Sequence, residues 1–199
     1  MQASFSRFAG LCGLIAGICG LLYLVAFVVT RDPGATLPSL LLIAVGILAS
    51  AVLVALYQRV LAVDPAFALW GWLLAVAGAG GAAIHGAFDL SNDLHPPAAP
   101  FGYANPTDPR GFLTFGLAGL GAIVISWLLL RGALLTRGVA VLGVVSGILL
   151  VALYLAYLVF LDPTNPIVVV LVFASGILQP VWYLWIGWLL WQEPPAPAR

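Results

Sequence analysis

Charge is what this sequence has least of. Its 199 residues include seven basic and seven acidic side chains, 7% charged in all, where globular chains carry about 25%. A water-soluble domain needs more than that to cover its surface, so this composition excludes one. Disorder is excluded for the opposite reason: 63% of the residues are hydrophobic and the mean hydropathy is +1.15, whereas disordered segments are poor in apolar side chains. Lysine is absent and the formal net charge is zero, which leaves no basic footprint for nucleic acid. The two cysteines, Cys12 and Cys19, are about 10 Å apart along one helix and out of disulfide reach, so they say nothing about redox compartment. Also missing are a phosphate-cradling glycine loop followed by lysine, a paired-cysteine metal motif and a nucleophile elbow. The two histidines, His85 and His95, lie on or near one helix and do not face each other across a bundle as a bis-histidine haem requires.

What remains is apolar sequence. Six stretches, 8–30, 39–61, 69–90, 112–130, 139–161 and 167–191, approach or exceed the 20 or so residues that a helix needs to cross a bilayer. The expected fold is therefore all-α, a polytopic bundle of six transmembrane helices forming one domain over 1–192, with a short Pro-rich cytoplasmic tail at 193–199. Most connections are short, which makes sequential helices antiparallel; only 91–111 is longer. The first stretch exceeds a signal-peptide core of 7–15 residues and is followed by no small-x-small cleavage site, so it reads as a retained helix.

Placing the N-terminus in the cytoplasm puts Arg7, Arg59, Arg131, Arg137 and Arg199 inside and Arg31 and Arg110 outside, the orientation that cytoplasmic basic residues favour. The acids sort the other way: Asp32, Asp89, Asp93, Asp108 and Asp162 fall outside, Asp64 and Glu193 inside. Trp70, Trp72, Trp127, Trp188 and Trp191 all fall toward the cytoplasmic headgroups that tryptophan prefers. Both termini are expected in the cytoplasm.

In lipid, helices associate through small residues that let backbones approach. Gly10, Gly13, Gly17 and Gly20 line one face of the first helix. Gly78, Gly80, Gly81 and Gly86 crowd the third, Gly116, Gly119 and Gly121 the fourth, and Gly143 and Gly147 the fifth. A shift of 130 residues brings Gly17-Ile18 onto Gly147-Ile148, Asp32-Pro33 onto Asp162-Pro163 and Gly46-Ile47-Leu48 onto Gly176-Ile177-Leu178. Helices 1 and 2 are thus similar to helices 5 and 6, a hairpin repeat in parallel orientation of the general kind used by transporters and inert bundles alike.

Polar groups inside a bilayer are costly and point to function by default. The useful candidates are His85, Gln179 beside Pro180, and Ser50, Ser126, Ser146 and Ser175; Arg59 falls at the end of its span and no Lys, Arg or Glu is expected deep inside one, which speaks against a proton pump or ion-coupled transport. The densest constellation is His85, Asp89, Asp93 and His95. Spacing of four stacks His85, Asp89 and Asp93 on one helix face, and imidazole with carboxylate suits a divalent transition metal or an outward vestibule for cations. The structural alternative makes Asp89 a histidine partner, Asn92 and Asp93 turn formers, and His95 a loop residue before Pro96-Pro97. Asp32, Asp64, Asp108 and Asp162 each precede a proline, the pattern of a turn or a capped helix start. Gln179-Pro180 marks a kink beside an amide, able to line a cavity or to bond Ser50 or Ser146 across helices. Trp182, Trp185 and Trp188 form an aromatic face for packing or lipid.

The run Ala55-Leu56-Tyr57-Gln58-Arg59-Val60-Leu61, a short Asp-Pro linker, Ala68-Leu69 opening an Ala- and Gly-rich helix, the segment Gly17 to Tyr23 and the segment Val139 to Gly147 resemble small six-helix bacterial membrane proteins of the domain of unknown function 4386 type. The resemblance implies six helices in a bacterial plasma membrane and no particular activity. Three readings follow. The first is a non-enzymatic structural or accessory component that meets the lipid bilayer and a membrane-protein partner. The second is a small-molecule or ion transporter whose outer vestibule uses His85, Asp89, Asp93, His95 and Gln179. The third is a metal-dependent membrane enzyme with a divalent metal on His85, Asp89, Asp93 and His95. Convergence of His85, Asp89 and His95 within a few Å beside a cavity favours the last two; their lying apart or facing lipid counts against them.

Overall fold

The computed structural model describes residues 3–30, 32, 35–96, 108 and 110–193. Among them are six helices long and apolar enough to cross a membrane, and no strand. The helices are α1 (Ala3–Thr30), α2 (Thr36–Val60), α3 (Pro65–Leu94), α4 (Ala118–Arg131, entered through a π-helical segment Phe112–Leu117), α5 (Arg137–Phe160) and α6 (Pro166–Trp191). The expected tail beyond Glu193, Arg31 and Arg199 of the charge count, and most of the long 91–111 connection lie outside the described residues.

The helices outrun the apolar windows that predict them. α3 has 30 residues, about 45 Å at 1.5 Å per residue, against a hydrocarbon layer of about 30 Å, so helix continues where its sequence has turned polar. Capping makes this possible. The Asp64 carboxylate accepts the Phe67 N–H at 3.2 Å with Pro65 at the first helical position, as the Asp-Pro pairing predicts. At Asp162 the same dipeptide builds a turn instead: its carboxylate accepts the Thr164 N–H and hydroxyl at 2.8 and 2.7 Å, bonds that hold it below the usual carboxylate range. The cap of α6 falls to Asn165, which accepts from Ile167 N–H at 3.0 Å ahead of Pro166.

Each helix packs on its neighbours in chain order, and α6 packs back on α1, so the six form a closed ring. The glycine face of α1 makes that closure. A Cβ on Gly10 would lie 2.6 Å from the Trp191 nitrogen, and one on Gly13 2.9 Å from the Gly187 Cα; Gly20 meets the ring of Pro180. Elsewhere Gly119 and Gly147 face each other, each leaving only 2.6 Å between a would-be Cβ and the other's carbonyl oxygen. These are backbone-to-backbone approaches that only small residues allow.

The ring is filled unevenly. The half nearer the termini is a continuous core containing Val52, Leu53, Leu56, Ile125, Leu129, Trp182, Ile186 and Leu190. Arg59 ties it at the rim, bonding Glu193 and, at 3.1 Å, the Ser6 hydroxyl, while Ser6 donates to Glu193 at 2.6 Å. Burial raises the Glu193 carboxyl, but the hydrogen bonds from Arg59 and Ser6 outweigh it and hold the group below its ordinary value. Trp70, Trp127, Trp188 and Trp191 stand exposed around the same end, whereas Trp182 is wholly buried and belongs to packing rather than lipid contact. In the opposite half the buried cluster is small, Leu153, Ala156 and Val168 between α5 and α6.

Close approach separates glycines of one helix sharply. A Cβ on Gly78 would sit 2.5 Å from the Ala118 backbone, while Gly80 has nothing within 4 Å. Gly78→Ala is expected to destabilise by about 1–3 kcal/mol through overpacking, and Gly80→Ala to stabilise by up to about 1 kcal/mol through helix propensity. Thermal unfolding of the two variants in detergent checks the opposite signs.

Candidate functional site

Below the sparsely filled end lies a cavity of about 590 Å³ reached by all six helices. Its deep wall is apolar, with Leu53, Ala75, Ala122 and Trp182, and its upper wall carries His85, Thr114 and Asp108 beside the exposed Leu161 and Pro163. Tyr23, Tyr154 and Tyr157 add phenol faces, and Gln179 lines the α6 side.

Four charged or titratable side chains meet at the upper wall. His85 and Asp89 are one turn apart on α3, with Nε2 3.4 Å from the Asp89 carboxylate. Asp108 and Arg110 come from the chain entering α4. The Arg110 guanidinium lies between the two carboxylates, 2.7 Å from Asp89 and 2.6 Å from Asp108, and a second contact from its Nε to Asp108 at 2.9 Å makes that pair bidentate. It also lies over the Phe88 ring at 4.5 Å. His85 Nε2 faces Asp108 too, at 3.6 Å. The Arg110, Asp89 and His85 side chains are only 19, 13 and 17% exposed, so these contacts act with little water between them and are stronger than at an open surface.

Local structure explains the positions. Asp108 also accepts the Arg110 backbone N–H at 2.9 Å, so the residue that starts the helix holds the arginine as well. Burial raises its carboxyl, but the side-chain and backbone bonds from Arg110 outweigh this and keep it below the usual carboxylate range; the same pairs raise the guanidinium's pKa. The π-helical segment then presents Thr114, whose hydroxyl is 3.3 Å from His85 Nδ1 and donates to the Arg110 carbonyl at 3.0 Å. π-helical turns are rare and concentrate at functional sites. Thr114 can serve His85 in either protonation state: it accepts from Nδ1–H of an imidazolium while donating to Arg110, or turns its proton to Nδ1 of a neutral ring that carries its hydrogen on Nε2.

Of the residues singled out by sequence, His85 and Asp89 come together here and Gln179 lines the same cavity, accepting a hydrogen bond from Ser146 across α5 and α6. Asp93 is turned to α2, where it accepts from the Thr36 hydroxyl, and it borders a small recess of about 250 Å³ with Asp32, Asp89 and Asn92. His95 ends α3 in the open, its backbone N–H on the Ser91 carbonyl at 2.9 Å. The proposed metal set His85, Asp89, Asp93 and His95 is therefore divided, and among the described residues no three His, Cys, Asp or Glu are arranged to hold a metal ion. Arg110 takes the space between the carboxylates instead. Arg110, Asp108 and Thr114 are the members that spacing along the chain does not indicate; the available signal is an arginine two residues from an aspartate at the acid-rich end. Comparison of the chain with family models, curated proteins and solved structures gives no match.

Asp108→Asn keeps a capping oxygen but removes the charge. It is expected to cost about 1 kcal/mol, reduced from a buried-pair value because the side chain is partly exposed. Since the native carboxyl is held below its unfolded value, the contribution is full above about pH 4 and disappears as pH falls through the folded-state pKa. Melting curves of wild type and variant in detergent should therefore differ at pH 7 and converge toward pH 3.

Proposed function

We propose that this is an integral membrane protein that takes a small molecule into the centre of its helix ring, in the manner of a transporter or permease rather than as a purely structural component. One observation carries the reading. The cavity is large enough for a small ligand and mostly apolar, with a few convergent polar groups at one end, the usual make-up of a ligand site. A bundle that served only as structure would gain by filling that space, because each unfilled volume forfeits dispersion contacts. The packed half supplies the rigidity and the hollow half is left for a guest.

The reading includes an orientation and a place. Arg7, Arg59, Arg131 and Arg137 at the end bearing the termini favour that end in the cytoplasm, so the guest would arrive from the outer face, past His85 and Asp108. The resemblance to bacterial six-helix proteins supports a bacterial plasma membrane.

Thiol labelling tests access. In a Cys12→Ala, Cys19→Ala background, Ala82→Cys would place a thiol on the cavity wall, and Ile84→Cys, two residues on, would place one on the exposed outer surface of α3. Methanethiosulfonates attack thiolates, which need water to form. A membrane-impermeant reagent added outside is expected to modify Ala82→Cys at least about tenfold faster than Ile84→Cys, the latter facing lipid. Equal or slower labelling of Ala82→Cys would overturn the reading.

A further inference from the structure

The charge balance of the cavity says what kind of guest it suits. Among the described residues that line it, Asp108 and His85 are the ones able to carry charge there. Asp89 stands behind that wall, joined to it by His85 and Arg110. Two carboxylates against one guanidinium leave the cluster one negative charge in excess whenever His85 is neutral. With Asp89 13% and Asp108 32% exposed, the excess charge is only partly solvated and gains from a positive partner. Arg110 is a poor partner for an anion: its hydrogen-bonding edge is taken by Asp89 and Asp108 and one of its faces by Phe88. A divalent metal would have to displace it.

Resting on the reading that the cavity admits a guest, we propose that the guest is a lipophilic organic cation, an amine or quaternary onium, whose charge lies against Asp108 and His85 and whose apolar body fills the ring below. The aromatic walls suit it. Phe27, Phe115, Tyr23, Tyr154 and Tyr157 surround the space, and ring faces attract cations most where water is excluded. The competing positive charge is a proton on His85. An imidazolium would direct Nε2–H to Asp89 and Asp108 and Nδ1–H to Thr114, leaving the cluster neutral without a guest. Facing His85 are Asp89 from its own helix and Asp108, Arg110 and Thr114 from the start of α4; across the cavity α1 and α5 present only the tyrosines, and α2 and α6 uncharged residues such as Leu42 and Gln179. Cation and proton therefore exclude each other at this cluster.

Tetraphenylphosphonium and tetraphenylborate have nearly the same shape and opposite charge, and equilibrium dialysis of the full chain in detergent measures both. The cation is expected to bind saturably and the anion at least about tenfold more weakly, with cation affinity falling as the pH is lowered far enough for the imidazole to take its proton. His85→Gln should flatten that pH dependence, and Asp108→Asn should lower cation affinity about tenfold. Asp162→Asn, which removes an exposed charge at the same end, should change it by less than about twofold. Equal binding of the two probes, or preference for the borate, would overturn the ligand class, and a pH-independent wild type would overturn proton competition; neither comparison needs a variant to fold. Binding of neither probe while Ala82→Cys still reacts would reject the cation and leave the open cavity standing, whereas an unreactive Ala82→Cys would remove the cavity reading itself.

Discussion

In a lipid solvent, helices gain nothing by hiding apolar surface from one another, so a ring of six holds only where backbones come close enough for dispersion and weak polar contacts to accumulate. The α1–α6 contact is where that constraint is most severe, because it joins the first helix to the last and no short loop assists it. Gly10 and Gly13 of α1 meet Gly187 and the backbone of Trp191, while Gly20 receives the ring of Pro180. A proline inside a helix ordinarily weakens it; here its ring is the projection that fills the groove left by a glycine. Without this closure the cavity would be an open cleft facing acyl chains.

Closure also decides where polar groups can sit. The half of the ring nearest the termini is packed with Leu, Ile, Val and Trp, and its ion pairs, Arg59 with Glu193 and Arg131 with Asp64, are pushed out to the rim, where Glu193 is 37% exposed. At the other end Asp32, Asp93 and Asp162 stay exposed, but His85, Asp89, Asp108 and Arg110 gather at the cavity wall, because the ring there is not filled. The long α3 carries His85 and Asp89 to this level, and the chain entering α4 brings Asp108 and Arg110 against them. Each charge touches at least one opposite charge, the arrangement that lets ionised groups survive partial burial.

The architecture was legible in the sequence because lipid imposes it locally: run length gives the spans, small residues at spacings of three and four give the packing faces, and Asp before Pro gives turns and caps. The pair His85 and Asp89 was legible for the same reason, since spacing of four on one helix fixes a contact. Gln179 with Ser146 was one of two pairings the polar inventory offered, and the structure takes it. Asp93 and His95 escape the pattern because helical periodicity says nothing about which neighbour a residue at the helix end meets; Asp93 finds Thr36 on α2. Arg110 and Asp108 were hidden more deeply. They lie more than 20 residues from His85 along the chain, and a residue before a proline is as readily a cap as a ligand. Asp108 takes the Arg110 backbone N–H and also pairs with its guanidinium, which is why the capping explanation, though correct, did not exhaust it.

Charge can select a guest only near the top of the cavity. At an effective dielectric constant of about 20, two unit charges 4 Å apart interact by about 4 kcal/mol, and the same charges 10 Å apart by less than half of that. Among the described residues the wall deeper than His85 has no charge to offer, and Gln179 is engaged by Ser146 and Ser175 by the Leu171 carbonyl at 2.7 Å. A guest seated wholly in the deep part would be chosen by shape and apolar area alone. One that keeps a polar end beside Asp108 and His85 would be chosen by charge as well, and its release would be coupled to whatever alters that single unit of balance. On the proposed reading the uneven filling of the ring would separate two tasks along one axis, apolar capture below and electrostatic discrimination at the mouth, with His85 at the boundary between them.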